Sequence, residues 1–237
     1  MAKVPIDLVL EPYPKNTCAA MTTAALISAP EEILIFCPSD HFIPDRLSYL
    51  SCVAEGLKIV KDDRIVALGV TPTFPSSAYG YIVPNNSENS QGSHLVEKFV
   101  EKPDSKAALT LMDKYGAFWN AGSFMTLATT IIQTVKKYEP LVFESVKKAL
   151  PEGKNEKNFL SLKQQEFESC PDISIDHAVM EKHTNLHMVV LNSSWSDVGS
   201  WNALSELFEP DDENNRSVGE AQFFDSKDSF IYSSGRL

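Results

Sequence analysis

The sequence predicts an α/β protein in which helices cover a largely parallel sheet. Strand-like and helix-like segments alternate along most of the chain, with no internal repeat and no low-complexity linker between them. The chain has 237 residues, of which 43% are apolar, and these values suit one globular domain or one domain with a short appendage.

Short apolar runs and longer amphipathic segments define the elements of the first half. We predict buried strands over residues 6–10 and 33–37 and a further strand over 64–70, followed by a turn-rich stretch over 71–78 that leads into residues 79–83. Helices are predicted over residues 17–28, with Asn16 or Thr17 as N-cap, and over residues 47–61, where apolar residues recur at the helical period.

The second half continues the alternation. Strands are predicted over residues 94–101, 123–127 and 186–191, and helices over 105–115, 129–138, 176–182 and 201–208. Residues 143–167 are rich in lysine and glutamate, which indicates solvated helices around a turn at residues 151–153. Aromatic residues near the end of the chain predict short strands.

Composition excludes several classes of function. A net charge of −11 and a pI near 4.9 argue against nucleic-acid binding, which requires a basic surface. The apolar stretches are strand-sized, and the start of the chain lacks a signal-peptide core, so we expect a cytoplasmic protein without a membrane partner. The four cysteines are scattered and are expected to be reduced thiols. The spacing of His183 and His187 permits metal binding. The favoured interpretation is that these two histidines are simply polar residues that flank a strand.

Two aspartates are candidate metal ligands. Asp40 follows a predicted strand, where open α/β sheets bind ligands and where a carboxylate can hold Mg²⁺. Asp197 lies beside Gly199 in a predicted loop before a helix, and could grip the same cation. The alternative is that each aspartate merely caps the following helix. The nearby Trp201 is expected in the core rather than at a ligand.

Two further segments carry groups suited to a phosphorylated sugar. Glu101 and Lys102 end a predicted strand, where the acid can accept hydrogen bonds from sugar hydroxyls and the lysine can hold a phosphate. Asn120 and Gly122 lie between aromatic residues, and the amide suits a sugar hydroxyl. A surface strand end and a buried turn are the competing interpretations.

Taken in order, these segments resemble the bacterial mannose-1-phosphate guanylyltransferases, which make GDP-mannose from GTP and mannose 1-phosphate. The resemblance runs from about Ile6 to the C-terminus. It is carried by Glu11-Pro12, Asn16-Thr17, Pro38-Ser39-Asp40-His41, Pro72-Thr73-Phe74-Pro75, Tyr79-Gly80-Tyr81-Ile82, Phe99-Val100-Glu101-Lys102-Pro103, Trp119-Asn120-Ala121-Gly122, Ser174-Ile175-Asp176, Ala178-Val179-Met180-Glu181-Lys182 and Trp195-Ser196-Asp197-Val198-Gly199-Ser200-Trp201.

The resemblance implies roles for particular residues. Asp40 and Asp197 would hold a catalytic Mg²⁺, and these two with Lys102, which would bind the sugar phosphate, form the expected catalytic set. The mechanism implied is direct attack of the mannose 1-phosphate oxygen on the α-phosphorus of GTP, with no covalent enzyme intermediate. The substrate-binding residues implied are Asn16 and Thr17 on the guanine side and Gly80, Glu101, Asn120, Gly122 and Asp176 on the sugar side.

The resemblance also implies a fold and its limits. The expected fold is the Rossmann-like nucleotide-diphospho-sugar transferase fold, a mostly parallel mixed sheet with helices on both faces. Residues 1–209 would form the core and residues 210–237 the start of a C-terminal β extension. The family's first strand and glycine-rich triphosphate loop have no match here, so we expect an incomplete core with little activity alone.

Local departures and alternatives remain. Ser77-Ala78 replaces the family's Thr-Gly, and Lys15 and Cys18-Ala19 replace its Arg and Ala-Pro. The added Cβ of Ala78 weakens the expectation of sugar binding. A complementing N-terminal fragment or a homo-oligomer is a candidate partner. The alternative functions are nucleotidyl transfer to another hexose 1-phosphate, and a non-catalytic remnant that binds a sugar phosphate or sugar nucleotide.

Overall fold

The computed structural model of the chain describes residues 8–61, 63–90, 92–151 and 159–235. These residues form two compact units, the first comprising Met1–Cys37 and Leu47–Asn192 and the second comprising Pro38–Arg46 and Ser193–Leu237. The start of the first predicted strand, at residues 6 and 7, and residues 152 and 153 of the predicted turn lie outside the described residues.

A six-stranded sheet is the centre of the first unit. Its strands, in spatial order, are β2 (Ile33–Phe36), β6 (Phe118–Leu127), β3 (Ile65–Val70), β8 (Leu186–Leu191), β5 (Ser93–Val100) and β4 (Tyr81–Ser90). The start of β4 also pairs with the start of β6, so the pairings β6–β3–β8–β5–β4–β6 form a closed circuit. β1 (Leu8–Leu10) and β7 (Phe159–Ser161) make a separate parallel pair.

The α/β class is confirmed, whereas the strand directions differ from the expected mostly parallel sheet. Within the six-stranded sheet, β3 and β8 run parallel, and the other pairings described are antiparallel. The long strand β6 accounts for much of the difference, because it runs antiparallel to β2, β3 and β4. Alternation of elements predicts which segments are strands but does not specify the direction in which a neighbour enters.

Helices cover both faces of the sheet, as predicted. On one face, Ile65 and Ala67 of β3 join the main apolar cluster with buried residues of α1 (Asn16–Ile27), α4 (Ala128–Tyr138) and α5 (Pro140–Ala149). On the other face, Gly56 of α2 (Arg46–Ile59) lies against Val66. Successive residues of a strand point to opposite faces, so β3 is buried along its full length.

The described residues of the first unit form three further helices. They are α3 (Ser105–Tyr115), α6 (Gln164–Glu168) and a single π-helical turn, Asp176–Met180. A helix was predicted over residues 176–182. The structure has a single π-helical turn there, over Asp176–Met180. The N-cap position of α1 is Lys15, without a side-chain cap, rather than Asn16 or Thr17.

Two predictions about the edges of the fold were wrong. β2 was predicted as a buried strand, but Ile33 and Ile35 are each 43% exposed, because β2 pairs with β6 on one side and its outer face is uncovered by the described residues. β7 lies in a region predicted as helical, since its lysine- and glutamate-rich surroundings outweighed its short apolar run.

The second unit contains a short helix and a parallel strand pair. These are α7 (Trp201–Ser205), β9 (Arg216–Val218) and β10 (Phe230–Tyr232). Asn215 is 2% exposed, and its side chain donates to Asp211 and to the carbonyl of Ser226 while accepting from the amide of Ser229. This one buried amide therefore joins the residue just before β9 to the segment that leads into β10.

Two expectations from composition can be compared with the fold. All four cysteines are free thiols, with Cys18, Cys52 and Cys170 buried and Cys37 exposed. Across the part of the chain that is described, none of the helices combines the length and the apolar character needed to cross a bilayer.

Candidate active site

The turn after β5 presents Glu101 and Lys102. Lys102 has a positive φ of 44°, and Pro103, which follows it, is buried. Asp104 then caps α3 by accepting a hydrogen bond from the amide of Ala107 at 2.8 Å. The turn is thus held between a strand and a capped helix. Its two side chains, of Glu101 and Lys102, differ in how much of each is exposed. The Glu101 side chain is 11% exposed and the Lys102 side chain 64% exposed.

Asn120 and Gly122 lie in β6, close to Gly80. The amide of Asn120 donates to the carbonyl of Gly80 at 2.8 Å, and the amide of Gly122 donates to Oδ1 of Asn120 at 3.0 Å. Gly122 has a φ of 70°, a left-handed conformation that favours glycine. The asparagine is therefore buried and satisfied, while its Nδ2 points to a third segment.

That third segment is the π-helical turn, which begins at Asp176. Oδ1 of Asp176 accepts a hydrogen bond from Nδ2 of Asn120 at 3.1 Å. Single π-helical turns occur frequently at functional sites. The predicted sugar-side residues thus form a connected set, which we call the Glu101 cluster: Gly80, Glu101, Lys102, Asn120, Gly122 and Asp176.

Gly80 is packed against the carboxyl group of Glu101. A Cβ built at Gly80 would lie 2.5 Å from Oε2 of Glu101 and 3.3 Å from Cβ of Asn120. A side chain at position 80 would therefore displace the Glu101 carboxyl. Glycine fits this position because it has no Cβ to meet that carboxyl.

Burial and charge shift the titration of the two acids. Burial, and after it the charge of Asp176, raise the pKa of Glu101 to about 7, against the opposing charge of Lys102 at 3.7 Å. Burial also raises the pKa of Asp176 from its ordinary value. Near neutral pH, Glu101 is thus present in both forms, and its carboxyl can donate as well as accept hydrogen bonds.

Two residues of this region were not singled out from the sequence. Oε1 of Glu181 accepts a hydrogen bond from the amide of Glu101 at 3.0 Å, and Oε2 lies 3.0 Å from Nδ1 of His177. Glu181 belongs to Ala178-Val179-Met180-Glu181-Lys182, one of the segments that carry the resemblance. Its place in that segment is the sequence signal that could have identified it.

The predicted guanine-side residues are placed next to the same π-helical turn. Oγ1 of Thr17 accepts a hydrogen bond from the amide of Ile175, the residue before Asp176, at 2.8 Å. Asn16 is exposed, with a φ of 65°, and its Oδ1 accepts from the amide of Thr17 at 2.9 Å. The start of α1 is therefore joined to the segment just before Asp176 by the Thr17 hydroxyl and by the amide of Cys18, which donates to the carbonyl of Ile173 at 3.3 Å.

An aromatic group supports the loop that carries Gly80. The rings of Phe74 and Tyr79 each pack edge-on against Trp119, with centroid distances of 5.0 Å. Nε1 of Trp119 donates to the hydroxyl of Tyr81, which donates to the carbonyl of Ser76 at 2.9 Å. These contacts hold the loop against β6, so Gly80 stays in place beside Glu101.

Both candidate metal ligands lie in the second unit. An antiparallel bridge between Phe42 and Ser196, with hydrogen bonds of 2.8 and 3.1 Å, joins the segments that carry Asp40 and Asp197. The ring of Trp195 also donates to Nδ1 of His41 at 3.2 Å. Two acids 157 positions apart in the sequence numbering are thus carried by neighbouring backbone segments, as the shared-cation prediction requires.

The helix-cap interpretations of these aspartates were wrong. α2 begins at Arg46, well beyond Asp40, and the N-cap of α7 is Ser200, whose Oγ accepts from the amide of Ala203 at 3.1 Å. Oδ1 of Asp197 instead accepts from the amide of Gly199 at 3.1 Å. The expectation of a core position for Trp201 was also wrong, since 72% of it is exposed.

The two carboxylates of the second unit are oxygen donors of the type that a divalent cation takes. No group of three or more histidine, cysteine or acidic side chains is arranged as a metal site in the described ranges. Mg²⁺ is commonly held by one or two carboxylates, with water and substrate phosphates completing its shell. The Asp40 side chain is 80% exposed, so its oxygens are accessible to a hydrated cation.

Comparisons with known proteins agree with these observations. Residues 1–214 match the family model described as Nucleotidyl transferase. The xanthan biosynthesis protein XanB of Xanthomonas campestris pv. campestris (strain B100) is 34% identical over 97% of this chain and 49% of its own length. A mannose-1-phosphate guanylyltransferase of Sinorhizobium fredii (strain NBRC 101917 / NGR234) is 34% identical over 96% of this chain and 45% of its own length.

A solved structure supports the fold. The structure titled mannose-1-phosphate geranyltransferase, from Thermus thermophilus, is 27% identical, with a TM-score of 0.79 over 96% of this chain and 71% of that one. The chain spans about half the length of the curated relatives it matches. Because the family model covers most of the sequence, the chain belongs to the nucleotidyl transferase family.

Proposed function

We propose that this domain takes part in guanylyl transfer, in which GTP and mannose 1-phosphate give GDP-mannose and pyrophosphate. Support comes from relatives that bear the name mannose-1-phosphate guanylyltransferase and from the Glu101 cluster. The bond formed joins a phosphate oxygen of the sugar to the α-phosphorus of GTP, and the bond broken releases pyrophosphate. No covalent intermediate with the protein is part of the proposal.

The Glu101 cluster would bind the sugar phosphate. Lys102 carries an exposed ammonium group suited to a phosphate, while Glu101 and Asn120 offer a carboxyl and an amide for sugar hydroxyls. The bare backbone of Gly80 would allow a hexose to approach closely. Because burial raises the pKa of Glu101 to about 7, its carboxyl can pair with either a donor or an acceptor on the sugar.

The nucleotide side of the proposal is carried by two elements. The exposed start of α1, with Asn16 and Thr17, would face the guanine. Asp40 and Asp197 would hold Mg²⁺, which supplies charge neutralisation for the phosphates when it is bound. In this arrangement the protein contributes alignment and electrostatic complementarity, and its side chains do not act as a nucleophile.

The single observation that carries the proposal is the connected geometry of Glu101, Asn120 and Asp176 beside Gly80. Isothermal titration calorimetry of the purified chain tests it, with mannose 1-phosphate, glucose 1-phosphate and Mg²⁺-GTP titrated separately. We expect mannose 1-phosphate to bind and Lys102→Ala to weaken it about tenfold or more, since a charge-assisted contact is lost. Lys106→Ala, in the next helix, is the matched control.

The same titrations separate the alternatives. Binding of glucose 1-phosphate in preference to mannose 1-phosphate would favour transfer to another hexose. If the sugar phosphate binds and Mg²⁺-GTP does not, the result would favour a non-catalytic binding module. If neither sugar phosphate binds, the proposal for the Glu101 cluster is wrong. Formation of GDP-mannose by the chain, with and without Mg²⁺, completes the test.

We also propose that a complementing polypeptide segment covers the exposed apolar side chains of β1 and of β2. Leu8 and Leu10 are 56% and 48% exposed, and Ile33 and Ile35 are each 43% exposed. In each strand the alternate residue, Val9 or Leu34, packs on the apolar cluster, so the exposed side chains of that strand point away from the cluster. Sedimentation of the chain tests this, because a stable dimer that Ile35→Lys dissociates would assign the face to a second copy instead.

A further inference from the structure

Glu181 joins two parts of the Glu101 cluster that are far apart in sequence. Its Oε1 accepts a hydrogen bond from the amide of Glu101 at 3.0 Å, across 80 positions of the chain. Its Oε2 lies 3.0 Å from Nδ1 of His177, one turn earlier. Both oxygens of one carboxylate are therefore engaged, one by the end of β5 and the other by the π-helical turn.

The backbone that Glu181 contacts is strained immediately afterwards. Lys102 adopts a φ of 44°, a left-handed conformation that a residue with a side chain rarely adopts and that is strained. Such a conformation persists only where neighbouring contacts hold it. Pro103 is buried on the far side of Lys102, and the Glu101 amide is tied to Glu181 on the near side. The left-handed residue is thus fixed from both directions.

The charge state of Glu181 suits this contact. Its burial raises the pKa, but the hydrogen bonds from His177 and from the Glu101 amide outweigh that effect and lower the pKa below its ordinary value. At neutral pH the group is a carboxylate, and its hydrogen bond to the Glu101 amide is charge-assisted.

We propose that Glu181 is a positioning residue that holds the turn at Glu101 and Lys102 in the geometry that binds a hexose phosphate. The inference rests on the proposed function and deepens it. Glu181 contacts the backbone of Glu101 rather than the ligand, so it acts through the direction of the Glu101 carboxyl and the Lys102 ammonium. Nothing in this role involves the nucleotide.

Two measurements on the full chain test the proposal. Amide hydrogen exchange followed by NMR reports on the hydrogen bond between Glu181 and the Glu101 amide. Calorimetry with mannose 1-phosphate and Mg²⁺-GTP reports on the affinity for each ligand. In Glu181→Ala we expect exchange at Glu101 and Lys102 to be at least about tenfold faster, and mannose 1-phosphate to bind about tenfold more weakly. Binding of GTP should remain unchanged.

Conservative and neighbouring variants sharpen the result. Glu181→Gln retains an oxygen acceptor and should stay within about threefold of the wild type, whereas Glu181→Asp, shorter by one methylene, should behave like Glu181→Ala. Lys182→Ala is the matched control, because Lys182 pairs with Glu139 at 2.7 Å and not with the turn. Should Glu181→Ala fail to fold, Glu181→Asp takes its place.

Each outcome bears on one claim. Unchanged exchange at Glu101 in Glu181→Asp, or equal weakening of GTP and mannose 1-phosphate, would overturn the positioning role. Faster exchange throughout the chain would also contradict it, because a general loss of stability would then explain the effect. If the wild-type chain binds no hexose phosphate, the proposed function fails, and local exchange still decides whether Glu181 holds the turn.

Discussion

Nδ2 of Asn120 donates a hydrogen bond to Oδ1 of Asp176 over 3.1 Å, and this contact joins β6 to the π-helical turn across 56 positions of the chain. The Oδ1 of the same amide accepts from Gly122, so both ends of the Asn120 side chain are used and its orientation is determined. Within the Glu101 cluster, this one buried amide joins Gly122 to Asp176.

The first prediction follows from that contact. Asn120→Asp replaces the donor with a second carboxylate beside Asp176, in a place where burial already raises the pKa of Asp176. We expect a loss of about 2 kcal/mol of unfolding free energy at pH 8 and a smaller loss at pH 5, where protonation relieves the repulsion. Urea denaturation at both pH values measures it. Asn202→Asp, on the exposed helix α7, should show neither effect.

The second prediction concerns Gly80. In Gly80→Ala the new Cβ would meet the end of the Glu101 side chain, which is flexible and can move aside. We therefore expect a stability loss of only about 1 kcal/mol, and a loss of mannose 1-phosphate binding of about tenfold. Thermal unfolding and calorimetry measure the two. Gly235→Ala, where a Cβ meets nothing within 4 Å, is the control. Unchanged sugar binding would show that the Glu101 carboxyl does not contact the ligand.

The third prediction is a pH dependence caused by Glu101. Its pKa is raised to about 7 in the folded protein from an ordinary value of 4.5, so the folded state binds more protons than the unfolded state between these values. Stability from this group is therefore present below pH 4.5 and is lost as the pH rises through 7. Glu101→Gln should remove this pH dependence. The free energy of unfolding of the variant, relative to that of the wild type, should therefore increase by about 2 kcal/mol from pH 5 to pH 8.

The exposed Glu97 on the same strand provides the comparison for this titration. Denaturation of Glu97→Gln should follow the wild-type pH curve. A Glu101→Gln curve parallel to that of the wild type would show that Glu101 titrates normally.

The fourth prediction concerns His187 in β8. Burial, and after it the charge of Arg64, lower the pKa of His187 to about 4, and its Nδ1 is buried without a hydrogen-bond partner. The unfolded state therefore binds more protons between pH 4 and 6.5, so stability is complete above pH 6.5 and falls toward pH 4. In His187→Leu this part of the acid loss, about 2 kcal/mol, should disappear from the denaturation curve. An equally steep loss in the variant would assign acid sensitivity to other groups.

The fifth prediction tests the two aspartates as metal ligands. Asp40→Asn and Asp197→Asn should each weaken binding of Mn²⁺, a paramagnetic substitute for Mg²⁺, about tenfold or more in the presence of GTP. Electron paramagnetic resonance of free Mn²⁺ gives the affinity. Asp212→Asn, on the exposed loop before β9, is the control. If only one of the two variants loses affinity, the acids do not share the ion.

Much of the fold and of the candidate site could be predicted from sequence because these features depend on local pattern. Apolar runs and helical periodicity placed β3, β8 and α3 within a residue or two of their observed bounds. The resemblance singled out Glu101, Asn120 and Asp176, which the structure joins in one cluster. The division at residues 209 and 210 stays a prediction.

Other features could not be read from the chain because they arise from contacts between distant segments. Sequence pattern does not encode strand direction, so β6 enters antiparallel where a parallel neighbour was expected. An apolar run such as Ile33–Phe36 indicates a strand but not whether a partner covers it. The left-handed turn at Lys102 has no sequence signature comparable to that of a glycine.

The sequence by itself determined which segments are helices and strands and which residue types are available for phosphate, sugar and cation, since these depend on neighbours along the chain. Only the tertiary structure decided that Glu181 holds the backbone of Glu101 and that the missing Cβ of Gly80 leaves room for the Glu101 carboxyl. It also decided that the pKa of Glu101 rises to about 7. Burial and hydrogen bonds between residues far apart in sequence exist only once the chain has folded, and they set the charge and direction of each group.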